Sequence, residues 1–159
     1  KNCLNKFVVL YDFKEEHIMI KYVGIMVGGI AIGIILDKMI IAVMENKKLE
    51  REKILEKCFG EPMYTSLFSM AEVRDWIKSR ETLLQDGAKA IVLQANSETL
   101  KGIGKDLDIG NNLKNNLVIA IVDESCKNIS DSVLIKYETL DARLDEALSK
   151  GNGVLVVEA

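Results

Sequence analysis

The sequence predicts an α/β chain of the α+β kind: a single N-terminal transmembrane helix followed by a small C-terminal four-stranded α/β sandwich. Three observations carry this expectation. Residues 22–36 read YVGIMVGGIAIGIIL, fifteen positions without a charge. Residues 59–159 alternate helix signals with short runs rich in Ile, Val and Leu, bounded by Gly, Asn and Asp. Charge is uneven: residues 1–58 carry ten basic and eight acidic side chains and residues 59–159 carry eleven and sixteen, which gives the net −3 of the 159-residue chain. That length is one small domain's worth. With 48% apolar residues and one Pro, collagenous and wholly disordered chains are excluded.

Residues 1–18 form a head. The sequence opens on Lys, whereas Met19 begins MIKYVGIMV and is a natural start. The preceding KEEHI is what a purine-rich ribosome-binding stretch would encode, so the head is expected not to be translated in the native protein. The alternative is a short extracytoplasmic head with a strand at residues 7–11.

Residues 19–44 are expected to span the membrane. About 20 apolar residues are needed. Lys21 and Lys38 lie 17 residues apart, roughly 25 Å along a helix, and can snorkel to opposite interfaces. No polar face recurs at helical spacing. Gly24 with Gly28, and Gly29 with Gly33, make two overlapping GxxxG patterns, which let two helix backbones approach. They point to a homo-oligomer through this helix. The basic residues Lys47, Lys48, Arg51, Lys53 and Lys57 outnumber those close upstream. The expected location is therefore the cell membrane, single-pass, with a cytoplasmic C-terminal domain. The competing reading buries residues 22–44 inside a soluble α/β core.

Residues 45–58 contain strong helix formers without Gly or Pro and read as a charged, solvated helical connector. Gly60 and Pro62 end it.

The acidic domain, residues 59–159, begins with a well-signalled helix. Ser69 and Glu72 make a capping box, and Phe68 with Val73 makes a hydrophobic staple. Met70, Val73, Trp76, Ile77, Leu83 and Leu84 follow at helical spacing, up to Gly87. Residues 89–95 (KAIVLQA) read as a buried strand. Ser97 and Glu98 open a helix carrying Leu100, Ile103 and Leu107, and residues 110–116 turn. Residues 117–123 (LVIAIVD) form the most apolar strand, residues 124–131 a hairpin loop and residues 132–137 a half-exposed strand. Asp141 opens a last helix through Leu144 and Leu148 to Gly151, and residues 154–157 (VLVV) close the chain as a strand. After the leading helix the order is βαββαβ, the ferredoxin-like split βαβ. A different four-stranded sandwich is its competitor.

Candidate chemistry is sparse. The single His, His17, lies in the head, so the domain has no imidazole base or zinc ligand. Cys3, Cys58 and Cys126 form neither a disulfide framework nor a metal spacing, and free thiols suit a reducing compartment. Cys126, in the predicted hairpin loop, is the candidate reactive thiol, although no His can activate it. Residues 102–106 (GIGKD) lack the Gly and Lys-Ser/Thr spacing of a phosphate loop. Asp106, Asp108 and Asn111 miss the Gly and Glu of a calcium loop. Asp123, Glu124 and Asp131 make either an acidic rim or ordinary turn chemistry. Trp76 falls on the apolar stripe of its helix and reads as a core residue rather than a partner anchor.

No catalytic residue, metal or cofactor is therefore expected, and the acidic balance argues against nucleic acid. The partners expected are the lipid bilayer, a second copy and an unidentified protein. The function that follows is a membrane-anchored binding or scaffold module. Its rivals are a small membrane-tethered enzyme using carboxylates or Cys126, and the soluble protein with residues 22–44 in its core. Under the leading reading, a chain starting near Phe59 should fold alone.

Overall fold

A computed structural model describes residues 8–9, 19–23, 29–45, 51–96, 99, 115–125 and 127–158. It is a mixed α/β structure with four α-helices among these residues. In chain order the elements are β1 (Val8–Val9), β2 (Met19–Val23), α1 (Gly29–Glu45), α2 (Arg51–Phe59), β3 (Met63–Phe68), α3 (Met70–Lys78), a 3-10 turn (Glu81–Leu84), β4 (Lys89–Gln94), β5 (Asn116–Val122), β6 (Ile129–Leu140), α4 (Ala142–Lys150) and β7 (Val154–Glu158).

Five strands, β3 to β7, make the body of one sheet in the order β7-β4-β5-β6-β3, and β2 and β1 extend it beyond β7. β4 runs antiparallel to both β5 and β7, β5 antiparallel to β6, and β3 parallel to β6. This corrects the ferredoxin-like expectation. A split βαβ makes the strands on either side of its helix parallel, with another strand between them. Here β4 and β5 are adjacent and antiparallel. β4, β5 and β6 follow one another across the sheet, and α4 returns the chain to lay β7 beside β4, which is the Greek-key order. β3 then adds a parallel edge strand that the four-strand expectation lacks.

Helices cover both faces. On one, Ile35, Leu36 and Met39 of α1 and Ile54, Leu55, Cys58 and Phe59 of α2 pack on Ile91, Leu93, Val118, Val122 and Val156. On the other, Val73 and Ile77 of α3 and Leu144 and Leu148 of α4 pack on Ala90, Val92, Ile119, Ile121 and Leu155. This explains the unbroken apolar runs of β4 and β5: a strand covered on both faces has no solvent side to alternate with. Every residue of β5 is buried.

Residues 19–44 are thus not one membrane helix. Among the described residues, 19–23 form β2, paired with β7, and 29–44 belong to the 17-residue α1, whose inner side is sealed by the sheet. No helix among the described residues is long and apolar enough to cross a membrane. The absence of a polar face, read from the sequence as a sign of lipid, comes from a helix that packs on a sheet with one side and keeps Ile41 and Met44 on the other. Nor is the connector a solvated stalk, since α2 buries four side chains.

Local signals held where they were chemical. The α3 capping box forms in both directions: Ser69 N–H donates to Glu72 Oε2 at 2.7 Å and Glu72 N–H to Ser69 Oγ at 3.3 Å. α3 stops at Lys78, short of Gly87, where Ser79 donates its hydroxyl to Trp76 O at 2.7 Å and the chain tightens into the 3-10 turn. Asp141 holds two helix starts at once. Its carboxylate accepts from Leu144 N–H at 2.7 Å and from Met70 N–H at 3.2 Å, placing negative charge where both helix dipoles are positive. Gly60, at φ 88, lets the chain leave α2. Most of the helix expected over residues 97–107 lies outside the described residues.

Candidate functional site

The residues singled out by sequence are not gathered into one place. Gly24, Gly28 and Cys126 lie outside the described residues. Gly29 opens α1, and Gly33 sits one turn on, with open space where a Cβ would point. Cys58 is buried, and its thiol is pushed above its usual pKa by burial, which Lys38 and Lys57 partly offset. That is the opposite of an activated nucleophile. Asp123 is a turn anchor. It accepts from Asn128 Nδ2 at 2.7 Å, Lys127 N–H at 2.9 Å and Ser125 Oγ at 2.8 Å, and these bonds hold its pKa down at about 2. Asp131 pairs with Arg80 at 2.5 Å, and the Arg80 guanidinium lies 4.0 Å over the Trp76 ring. Trp76 is therefore half-buried beneath a cation, packed beside the core but not inside it. Among the described residues no three His, Cys, Asp or Glu side chains could hold a metal ion.

What the structure does assemble is an apolar margin at β3. Met63, Tyr64 and Leu67 are 45%, 71% and 52% exposed. Among the described residues β3 bonds to the sheet through β6 alone. Tyr64 is held from beneath: Lys136, opposite it in the register, sits 5.7 Å from its ring, and Lys136 Nζ is 3.0 Å from Glu56 Oε1 on α2. An exposed aromatic seated over a cation presents a large amphipathic surface, the kind of side chain that serves as an interface anchor.

The backbone of this edge is less inviting than its side chains. The β3–β6 register has no pair at Ser66, so the strand is irregular there. The Thr65 hydroxyl donates to Leu67 O at 2.7 Å and the Thr139 hydroxyl to Ser66 O at 3.0 Å. Pro62 precedes the strand. These features resist addition of another strand, so the margin offers side chains more than main-chain hydrogen bonds. The sequence held one signal for it: MYTSLF, with Tyr, Thr and Phe as strand formers between Pro62 and the Ser69 cap.

Comparison with known proteins finds no matching family model, no matching curated protein and no matching solved structure.

Proposed function

We propose that the chain is a non-enzymatic binding or scaffold module whose recognition surface is the β3 margin. The observation that carries this reading is exposed Tyr64 over Lys136, with exposed Leu67 on the same edge strand and Met63 toward the opposite sheet face. The surroundings define the partner. Glu61 and Glu138 are exposed on the flanks, and residues 59–159 are net acidic by five charges. The fitting ligand is a protein segment with an apolar ridge flanked by Lys or Arg. A catalytic reading has no comparable support: the one described thiol is buried with a raised pKa, and the strongest carboxylate shift belongs to a turn.

The test is selection of peptides from a displayed random library on the intact protein, followed by titration against the double variant Tyr64→Ala/Leu67→Ala. Both side chains are exposed, so the fold is retained. The selected peptides should carry apolar residues beside Lys or Arg, and the double variant should weaken them about tenfold or more, as loss of an interface anchor does. Peptides that bind the double variant as tightly as the parent would refute the assignment of this surface.

A further inference from the structure

We infer that the outer face of α1 is a self-association surface, occupied by α1 of a second copy in antiparallel orientation. This face lies on the opposite side of α1 from the sheet and goes beyond the β3 reading. Asp37, Ile41 and Met44 follow one another at spacings of four and three residues, the spacing of a helix–helix contact, and Ile34, which also packs against the core on the sheet side, borders them. Ile41 and Met44 are 54% and 67% exposed, and Ile34 is half-buried. Ile41 and Met44 thus leave apolar surface, set among charged side chains, on the side of α1 away from the sheet.

The charges on this face identify the occupant. Asp37, Lys38 and Glu45 are all exposed. In an antiparallel pair about a two-fold axis level with residue 39, Ile34 lies opposite Met44 of the second copy and Asp37 opposite its Ile41. Lys38 then falls between the second copy's Asp37 and Glu45, and the arrangement repeats with the copies exchanged. Within one copy Lys38 Nζ lies 5.6 Å from the Phe59 ring, a contact that two carboxylates outweigh. The face is therefore self-complementary in charge, as an isologous contact requires. Gly33, with open space at its Cβ position, lets the helices close in at one end. A lipid surface fits less well, because Asp37 sits in the middle of the seam, between Ile34 and Ile41, where an anionic membrane would repel it.

The test uses the full chain and two charge variants, Lys38→Glu and Asp37→Lys/Glu45→Lys. The three positions are exposed, and circular dichroism checks the folding of each. Sedimentation equilibrium from micromolar to submillimolar concentration should show the parent dimerising. Each variant alone repels itself and should dimerise about tenfold or more weakly. An equimolar mixture of the two should associate again, because the acidic side chain introduced at position 38 of one variant then faces the basic side chains introduced at positions 37 and 45 of the other. A monomeric parent overturns the inference, as do variants that dimerise like the parent or a mixture that stays monomeric. A monomeric parent that sediments with phosphatidylserine vesicles would assign the face to lipid instead. None of these outcomes touches Tyr64 or Leu67, so the β3 reading stands or falls separately.

Discussion

Replacing Ile35 with Ala tests whether α1 belongs to the folded core. Ile35 is 0% exposed and packs in the cluster that includes Ile91, Leu93, Val118 and Val156. The change removes three carbon groups, worth about 0.8 kcal/mol each in lost transfer energy, or about 2.4 kcal/mol together. The space left behind adds a cavity cost of about 1 kcal/mol for ~40 Å³ that does not collapse, at about 24 cal/mol per Å³. The expected loss is about 3–4 kcal/mol. With a urea dependence of about 2 kcal/mol per molar, the unfolding midpoint falls by about 1.5–2 M. The control is Ile41→Ala, six residues along the same helix and 54% exposed, measured dilute so that self-association adds nothing. Half of its burial energy is already forgone, so about 1 kcal/mol or less is at stake. Urea unfolding without detergent, followed by far-UV circular dichroism, reads both. Equal shifts for the two variants, or a smaller shift for Ile35→Ala, would refute the packing of α1 on the sheet.

Other consequences follow from the same structure. A chain beginning at Phe59 loses α1 and nearly all of α2, uncovering Ile91, Leu93, Val118 and Val156 together; it should show no cooperative thermal transition, and a cooperative one would mean that this sheet face needs no cover. Asp141→Ala removes caps from α3 and α4 at once and should cost about 2 kcal/mol by urea unfolding, more than an ordinary single cap at about 1. The Asp123 pKa is lowered in the folded state, so its contribution to stability is present above the ordinary value of 3.8 and is lost as pH falls toward about 2. Asp123→Asn should flatten the fall in unfolding midpoint across that window, and an unchanged pH profile would count against the turn network. Gly153→Ala meets two obstacles, a φ of 84 and a Cβ driven into the Thr99 side chain; a loss of about 2 kcal/mol or more is expected in the same assay.

The parts of the fold legible in the sequence are those decided by neighbours along the chain. The Ser69–Glu72 box, the Asp141 cap and the strands around KAIVLQA, LVIAIV and VLVV depend on local hydrogen bonds or on continuous apolar runs, and the structure places each within a few residues of its expected position. Strand order was not legible, because β4 and β5 are equally apolar on both faces and nothing in either chooses its neighbour. The long return through α4 that puts β7 beside β4 is a choice of packing. The error at α1 has the same origin. Hydropathy sums over all sides of a helix and does not distinguish lipid from a sheet on one side and exposed Ile and Met on the other. Of the candidate site, the sequence gave no sign of the Tyr64–Lys136–Glu56 arrangement, which joins residues from three elements.

The irregularity at Ser66 bears on why the β3 margin would serve binding without promoting aggregation. An apolar parallel edge strand with regular outward N–H and C=O groups is a template for any extended chain. In β3 the missing pair at Ser66, the Thr65 hydroxyl on Leu67 O and Pro62 all act on the backbone, while Met63, Tyr64 and Leu67 keep their side chains exposed. Selectivity would then come from side-chain fit. Replacing Thr65 with Val keeps the shape and the β-branched propensity but removes the hydroxyl that occupies Leu67 O. The expected result is unchanged peptide affinity and a greater tendency to aggregate on mild heating, read by light scattering. Weakened peptide binding without increased aggregation would show that the hydroxyl belongs to the recognition surface and does not guard the edge.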